Sequence, residues 1–116
     1  MMTSANTDSI ASSPLPAAHV ADLARALADP LRAQIVVMLA DEELCTCHLV
    51  DGTGARQTNV SNHLRVLREA GLVTSEQVGR YTWHRLRPEG LAALVEHLTS
   101  VSVRAAGAAG VRRAPC

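Results

Sequence analysis

Gln57-Thr58-Asn59-Val60-Ser61-Asn62-His63-Leu64-Arg65-Val66-Leu67-Arg68-Glu69-Ala70-Gly71-Leu72-Val73 is the stretch on which the fold turns. Val60, Leu64 and Leu67 recur at spacings of four and three, so they share the inner face of a helix that starts near Gln57 and runs to Ala70. Gly71 stands where such a helix stops through a left-handed residue. The outer face is polar. Gln57, Thr58, Asn59, Ser61 and Asn62 crowd the first turns with short donors and acceptors suited to base edges and phosphates. His63, Arg65 and Arg68 have the reach to meet phosphates. A polar face alone is what any solvated helix shows, so the flanking sequence decides between the two readings.

Upstream, Leu44 to Asp51 reads as a short third helix, broken by Gly52-Thr53-Gly54. Short helix, glycine-containing turn and longer helix is the helix-turn-helix layout. Downstream, Leu72 to Val78 and Arg80 to Leu86 are strand-like runs joined around Gly79. Tyr81 and Trp83 alternate with Thr82 and His84, and Tyr81 and Trp83 are assigned to core and hairpin packing. A hairpin in this place is a wing, with Arg80 at its tip, able to enter the minor groove or contact its flanking phosphates.

Further out, Val20, Leu23, Ala24 and Leu27 mark a first helix beginning at Ala18. Asp29-Pro30 caps and opens a second helix, which carries Leu31, Ile35, Met38 and Leu39. Pro88 opens a last helix with the stripe Leu91, Leu94, Val95, Leu98 and Val101. The expected fold is mainly α with a small β-hairpin: a winged helix-turn-helix of about five helices plus a two-stranded wing. Its expected limits are residues 18–102, between a disordered segment at 1–17 and a flexible tail at 103–116. The first and last helices carry more apolar surface than one small domain buries, which predicts a homodimer. Two-fold symmetry would set two reading helices in successive major grooves of double-stranded DNA.

The 116 residues leave room for one domain, and a 47% hydrophobic share with 2% aromatics suits packed Leu, Val and Ala helices. No apolar run reaches the length of a membrane span, and no basic, apolar leader opens the chain, so a cytoplasmic protein without a membrane partner is expected. The formal net charge of 0 argues against a generic polyanion binder. Locally the balance differs: between Arg56 and Arg87 stand six arginines and two acids, a net +4, as a localised phosphate-contacting face requires. An enzyme is not expected, because Gly52-Thr53-Gly54 lacks the Gly-Lys of a phosphate loop and no nucleophile and base are suitably spaced.

Cys45 and Cys47 are the chemical feature of the chain. They are too close in sequence for a comfortable structural disulfide, and free thiols point to metal binding or redox sensing. The pair lacks the four-ligand spacing of a structural zinc site, and two buried apolar cysteines are the plain alternative. Side chains at i and i+2 of a regular helix diverge by about 200°. An ion gripped by both sulfurs would therefore unwind the start of the third helix, which packs beneath the reading helix. Soft thiolates favour As(III), Sb(III), Cd(II), Pb(II), Zn(II) or Cu(I) over hard cations. The helix start lowers the thiol pKa values while Asp41, Glu42 and Glu43 raise them. Cys116, on the tail, is a candidate third ligand. His48 is a donor for a borderline metal.

These motifs together resemble the ArsR/SmtB family of winged-helix metalloregulatory repressors. Glu43-Leu44-Cys45-Thr46-Cys47-His48-Leu49 is similar to the cysteine signature of its arsenic-responsive branch. Val60-Ser61-Asn62-His63-Leu64 and Leu67-Arg68-Glu69-Ala70-Gly71-Leu72-Val73 resemble its recognition helix and exit, Gly79 to Leu86 its wing, and Asp29-Pro30-Leu31-Arg32 the opening of its second helix. The resemblance implies a homodimer that represses a detoxification or efflux operon and leaves DNA on binding As(III) or Sb(III) at Cys45 and Cys47. Some arsenic sensors have a further cysteine three residues on, where this chain has Val50. The last-helix sites of zinc and cobalt sensors fall on Pro88, Gly90, Val101 and Arg104, which argues against such a site. Alternatives of the same fold are a Cd(II)-, Pb(II)- or Zn(II)-responsive repressor, a thiol-redox repressor, and a constitutive DNA-binding protein without inducer.

Overall fold

The computed structural model describes residues 17–116, so the segment expected to be disordered, 1–17, lies outside the described residues but for its last. The elements run α1 (Ala17–Ala28), α2 (Pro30–Met38), β1 (Leu44–Cys45), α3 (Thr46–Thr53), α4 (Gln57–Glu69), β2 (Val73–Val78), β3 (Tyr81–Leu86) and α5 (Pro88–Gly107). This is the expected winged helix-turn-helix, but with a different sheet. The sheet has three strands in the antiparallel order β1-β3-β2, because Leu44 and Cys45 pair with His84 and Trp83 instead of opening α3. Two residues show no alternation for a sequence reading to find, and their partner strand lies some forty positions away. The last helix also continues through Gly107, beyond the boundary drawn at 102.

Local chemistry sets the element ends. Asp29 accepts the amides of Leu31 (2.9 Å) and Arg32 (3.1 Å), and Pro30 occupies the first position of α2. Gly54 (φ 73°) ends α3, and Gly71 (φ 80°) turns the chain from α4 into the sheet. Gly79 (φ 62°) takes the first central position of the two-residue turn closed by the Val78–Tyr81 pair, a geometry that glycine allows without strain.

The core gathers residues from every helix, three of them, Val60, Leu64 and Leu67, from α4. Leu23, Ile35, Leu49, Leu64, Leu67 and Leu72 are almost fully buried, each contributing about 1.5–3 kcal/mol by leaving water. Within α1 the inward positions are Leu23 and Ala26, while Ala24, expected on that face, is exposed. The pleat of β3 is also opposite in phase to expectation: His84 is buried, Tyr81 is exposed and Trp83 is half-buried. The reason is that the face of β3 carrying His84 and Leu86 is the one laid on the core and α3, with Leu44 and Thr46 beside it.

Candidate metal centre and nucleic-acid interface

Cys45 ends β1 in an extended conformation (φ −84°, ψ 167°) and serves as the N-cap of α3. It lies outside the helix that contains Cys47, so the expected divergence of i and i+2 side chains does not apply. The two sulfurs meet at the entrance of the intact helix, so chelation by both does not require α3 to unwind, contrary to the expectation from spacing. His48, the third residue of α3, joins them. Its Nδ1 accepts the Cys45 amide at 3.1 Å and lies 3.2 Å from the Cys45 sulfur. Cys45 and His48 thus form a reciprocal cap. One donor atom from each of Cys45, Cys47 and His48 lies within 4.8 Å of the others.

The electrostatics of the pair are asymmetric. Burial pushes the Cys45 thiol up, but the Cys47 S–H bonded to it and the amides of His48 and Cys47 together pull it below the ordinary thiol value. Cys47 is raised by its bond to the Cys45 sulfur, by its own desolvation and by the Cys45 charge. Cys45 therefore ionises first, and its thiolate is held by the thiol next to it. Cys45 is 3% exposed while Cys47 and His48 open to solvent. Soft sulfurs beside an imidazole suit thiophilic or borderline ions. Cys116 is exposed near the end of the tail and is not part of this cluster within the chain. The third donor of the cluster is His48, which the sequence offered for a borderline metal. Its three-residue spacing from Cys45 is that of a capping box.

The polar face of α4 lies where the sequence put it. Gln57, Thr58, Asn59, Ser61, Asn62 and Arg65 are exposed, with Val60, Leu64 and Leu67 on the opposite side. Arg80 is exposed at the β2–β3 turn, whose shape is fixed by Gln77 Nε2 donating to Gly79 O (3.0 Å) and Thr82 to Gln77 (2.9 Å). His63 differs from the others. It is half-buried, and its Nδ1 accepts from Arg32 Nη1 at 3.0 Å. Arg32 also donates to Ala26 O (2.7 Å) and Arg25 O (3.2 Å), so His63 ties α4 to the α1–α2 corner. Its Nε2 stands 4.0 Å from Asp29. The Nδ1 lone pair of this ring is spent inside the protein.

A group that sequence reading passed over is His84, the one buried polar side chain among the described residues. Its Nε2 is 2.9 Å from Thr46 Oγ1 and its Nδ1 is 2.7 Å from Ser75 Oγ. Ser75 in turn accepts from Arg68 Nη1 at 3.2 Å. Burial first, and then the Arg68 charge, lower the His84 pKa to about 4, so the ring is neutral at pH 7.

Residues 29–75 match the family of bacterial regulatory proteins described as the arsR family. The chain is 43% identical over 74 residues to the HTH-type transcriptional repressor SmtB of Mycobacterium tuberculosis, which covers 64% of this chain and 55% of that protein. It is 40% identical over 82 residues to the HTH-type transcriptional regulator CmtR of Mycobacterium bovis, covering 71% and 70%. The chain thus spans about half the length of the first relative and more than two thirds of the second. A solved structure titled possible transcriptional regulator for arsenical resistance superposes with a TM-score of 0.65 at 39% identity, over 69% of this chain and 83% of that one. The fold, the matched segment and these relatives together place the chain in the ArsR family, whose members named here are transcription regulators and not enzymes.

Proposed function

We propose that the chain is a metalloid-responsive repressor that binds operator DNA as a homodimer and releases it when As(III) or Sb(III) is held by Cys45 and Cys47. The observation that carries this reading is the meeting of the two sulfurs at the entrance of α3, the helix packed against the reading helix α4. A thiophilic ion, when bound, supplies bonds to sulfur in place of thiol protons. Cys45, already below the ordinary thiol value, presents the readier sulfur, and Cys47 the solvent-facing one. The Cys45 sulfur also faces the first amides of α3. Ligation and capping therefore draw on the same lone pairs, and the cap is the two-state element on which release depends.

Gln57, Thr58, Asn59, Ser61 and Asn62 read base edges and phosphates, Arg65 and Arg80 neutralise phosphates, and the wing tip reaches the minor groove. Val95, Leu98, Val101 and Val103 leave an exposed apolar run on α5, which a second copy would cover. No helix among the described residues is long and apolar enough to cross a membrane, and a repressor acts in the cytoplasm with its DNA. Replacing both thiols, Cys45→Ser with Cys47→Ser, should preserve operator binding and abolish release by arsenite. A double variant that still lets go puts the switch elsewhere.

His48 favours a second reading, in which Cd(II), Pb(II) or Zn(II) is the signal, because imidazole suits borderline ions better than trivalent arsenic. Its Nδ1 has a single lone pair, now given to the Cys45 amide, so through that nitrogen His48 either caps or ligates. An operator-release titration across As(III), Sb(III), Cd(II), Pb(II) and Zn(II), run on wild type and His48→Ala, separates the two. A His48→Ala protein that keeps arsenite release but loses cadmium release supports the second reading. Loss of neither leaves the two sulfurs as the determinants, and loss of both makes His48 part of the site for either ion.

A further inference from the structure

Thr46 stands between the two thiols and is the first residue of α3, while Arg68 sits in the last turn of α4. They belong to the two halves of the helix-turn-helix, and a continuous polar path joins them. Thr46 Oγ1 meets His84 Nε2 at 2.9 Å, His84 Nδ1 meets Ser75 Oγ at 2.7 Å, and Ser75 Oγ receives Arg68 Nη1 at 3.2 Å. The path passes through the sheet, from β3 to β2, at the register where His84 lies between Leu44 and Ser75.

Arginine only donates, so Ser75 accepts from Arg68 at one end of the path. With the Ser75 hydroxyl proton assigned to His84 Nδ1, the directions along the rest of the path are set. The neutral ring then carries its proton on Nε2 and donates to Thr46. This tautomer is an assignment from the donor inventory. It leaves the buried imidazole with both nitrogens paired, the condition for burying such a ring at all. The consequence is geometric. The apolar packing between α3 and α4 is non-directional and tolerates small rotations, whereas a displacement of Thr46 by about 1 Å takes its hydroxyl out of hydrogen-bond range. A buried N–H is then left unpaired, and the neighbouring bonds of the chain respond to it.

We propose that Thr46, His84 and Ser75 are positioning residues that make the state of the Cys45–Cys47 pair felt at Arg68 on the reading helix. The proposal rests on the sensor reading above, in that α4 must be the DNA-reading element. It names which contacts carry the coupling. By reciprocity, DNA held on α4 must alter the thiols as much as the thiols alter DNA binding.

That reciprocity gives a test that needs no metal. The full chain is treated with iodoacetamide, alone and with a DNA duplex selected for binding from random sequence, and alkylation of Cys47 is followed by peptide mass spectrometry. In wild type the duplex should change the Cys47 rate by about fivefold or more. In Thr46→Val and Ser75→Ala the ratio should fall toward one, while Thr46→Ser, which keeps the hydroxyl, should retain the wild-type ratio. Simple shielding of Cys47 by DNA predicts the same ratio in every variant, and that result overturns the relay. So does a wild-type rate indifferent to the duplex. A chain that selects no duplex overturns the DNA-reading assignment and the relay together. If wild type releases DNA on arsenite and Thr46→Val releases it equally well, the relay alone is lost and the sensor reading stands.

Discussion

His84 Nε2 lies 2.9 Å from Thr46 Oγ1, so the centre of the sheet is bonded to the residue that separates the two thiols. The ring is 2% exposed and neutral in the fold, its pKa lowered from 6.5 to about 4 by burial and by Arg68. In the unfolded chain the same ring protonates near its ordinary value. Between the two values the unfolded state binds more protons, and stability rises with pH. His84 therefore costs nothing above about pH 6.5, and stability is lost as pH falls from there to about 4, by at most about 3 kcal/mol. Urea unfolding at stepped pH should show this slope, and His84→Gln should flatten it even where it lowers stability overall. An unchanged slope in the variant assigns the acid sensitivity to other groups.

The thiol pair gives a second pH dependence, with the same sign. Holding an ion on both sulfurs displaces the remaining thiol protons, and Cys47 holds its proton above the ordinary value. Apparent affinity for a thiophilic ion should therefore weaken as pH is lowered, with protons released on binding. Ultraviolet thiolate absorption during the titration reads this directly. Affinity that stays constant with pH would mean that the sulfurs are not the ligands.

Arg32 closes the corner between α1, α2 and α4 through the two carbonyls and His63. Arg32→Ala removes a donor that three acceptors share, and should destabilise the fold by about 1–3 kcal/mol. Thermal unfolding measures it. His63→Ala should act in the same way, on stability more than on DNA. A His63 variant of wild-type stability but weakened DNA binding would restore the phosphate role.

Gly90 permits a close approach of one backbone to another. A Cβ there would stand 2.6 Å from the Gly71 carbonyl oxygen, where α5 crosses the exit of α4. Since backbone cannot swing away as a side-chain tip can, Gly90→Ala should cost about 1–3 kcal/mol. Gly52→Ala meets only the mobile end of Met38 and should cost less. Equal effects of the two would show that the α5 contact is not tight.

At the nucleic-acid face, Arg80→Ala and Arg65→Ala should each weaken binding across duplex sequences and reduce the salt slope by about one. Asn59→Ala should instead change which sequence is preferred. Binding measured at two or more salt concentrations distinguishes the effects. Arg80→Ala with an unaltered salt slope would place the wing tip away from phosphate.

The sequence by itself determined the periodic and the local. Val60, Leu64 and Leu67 specified the inner face of the reading helix, Asp29-Pro30 the start of α2, and Gly71 and Gly79 the turns, because helix period, caps and positive φ are properties of a few neighbouring residues. The alternation of β3 was visible too, but not its phase. Only the tertiary structure decided that, by laying the face of β3 that carries His84 and Leu86 on the core and α3 and leaving Tyr81 and Trp83 on the other. The pairing of β1 with β3 drew Cys45 out of the helix and into a cap. It made His48 the cap partner of Cys45, and it built the path from Thr46 to Arg68. A two-residue strand has no period of its own. What it does depends on a partner some forty residues away, and a contact made at that distance leaves no pattern in the segment that makes it.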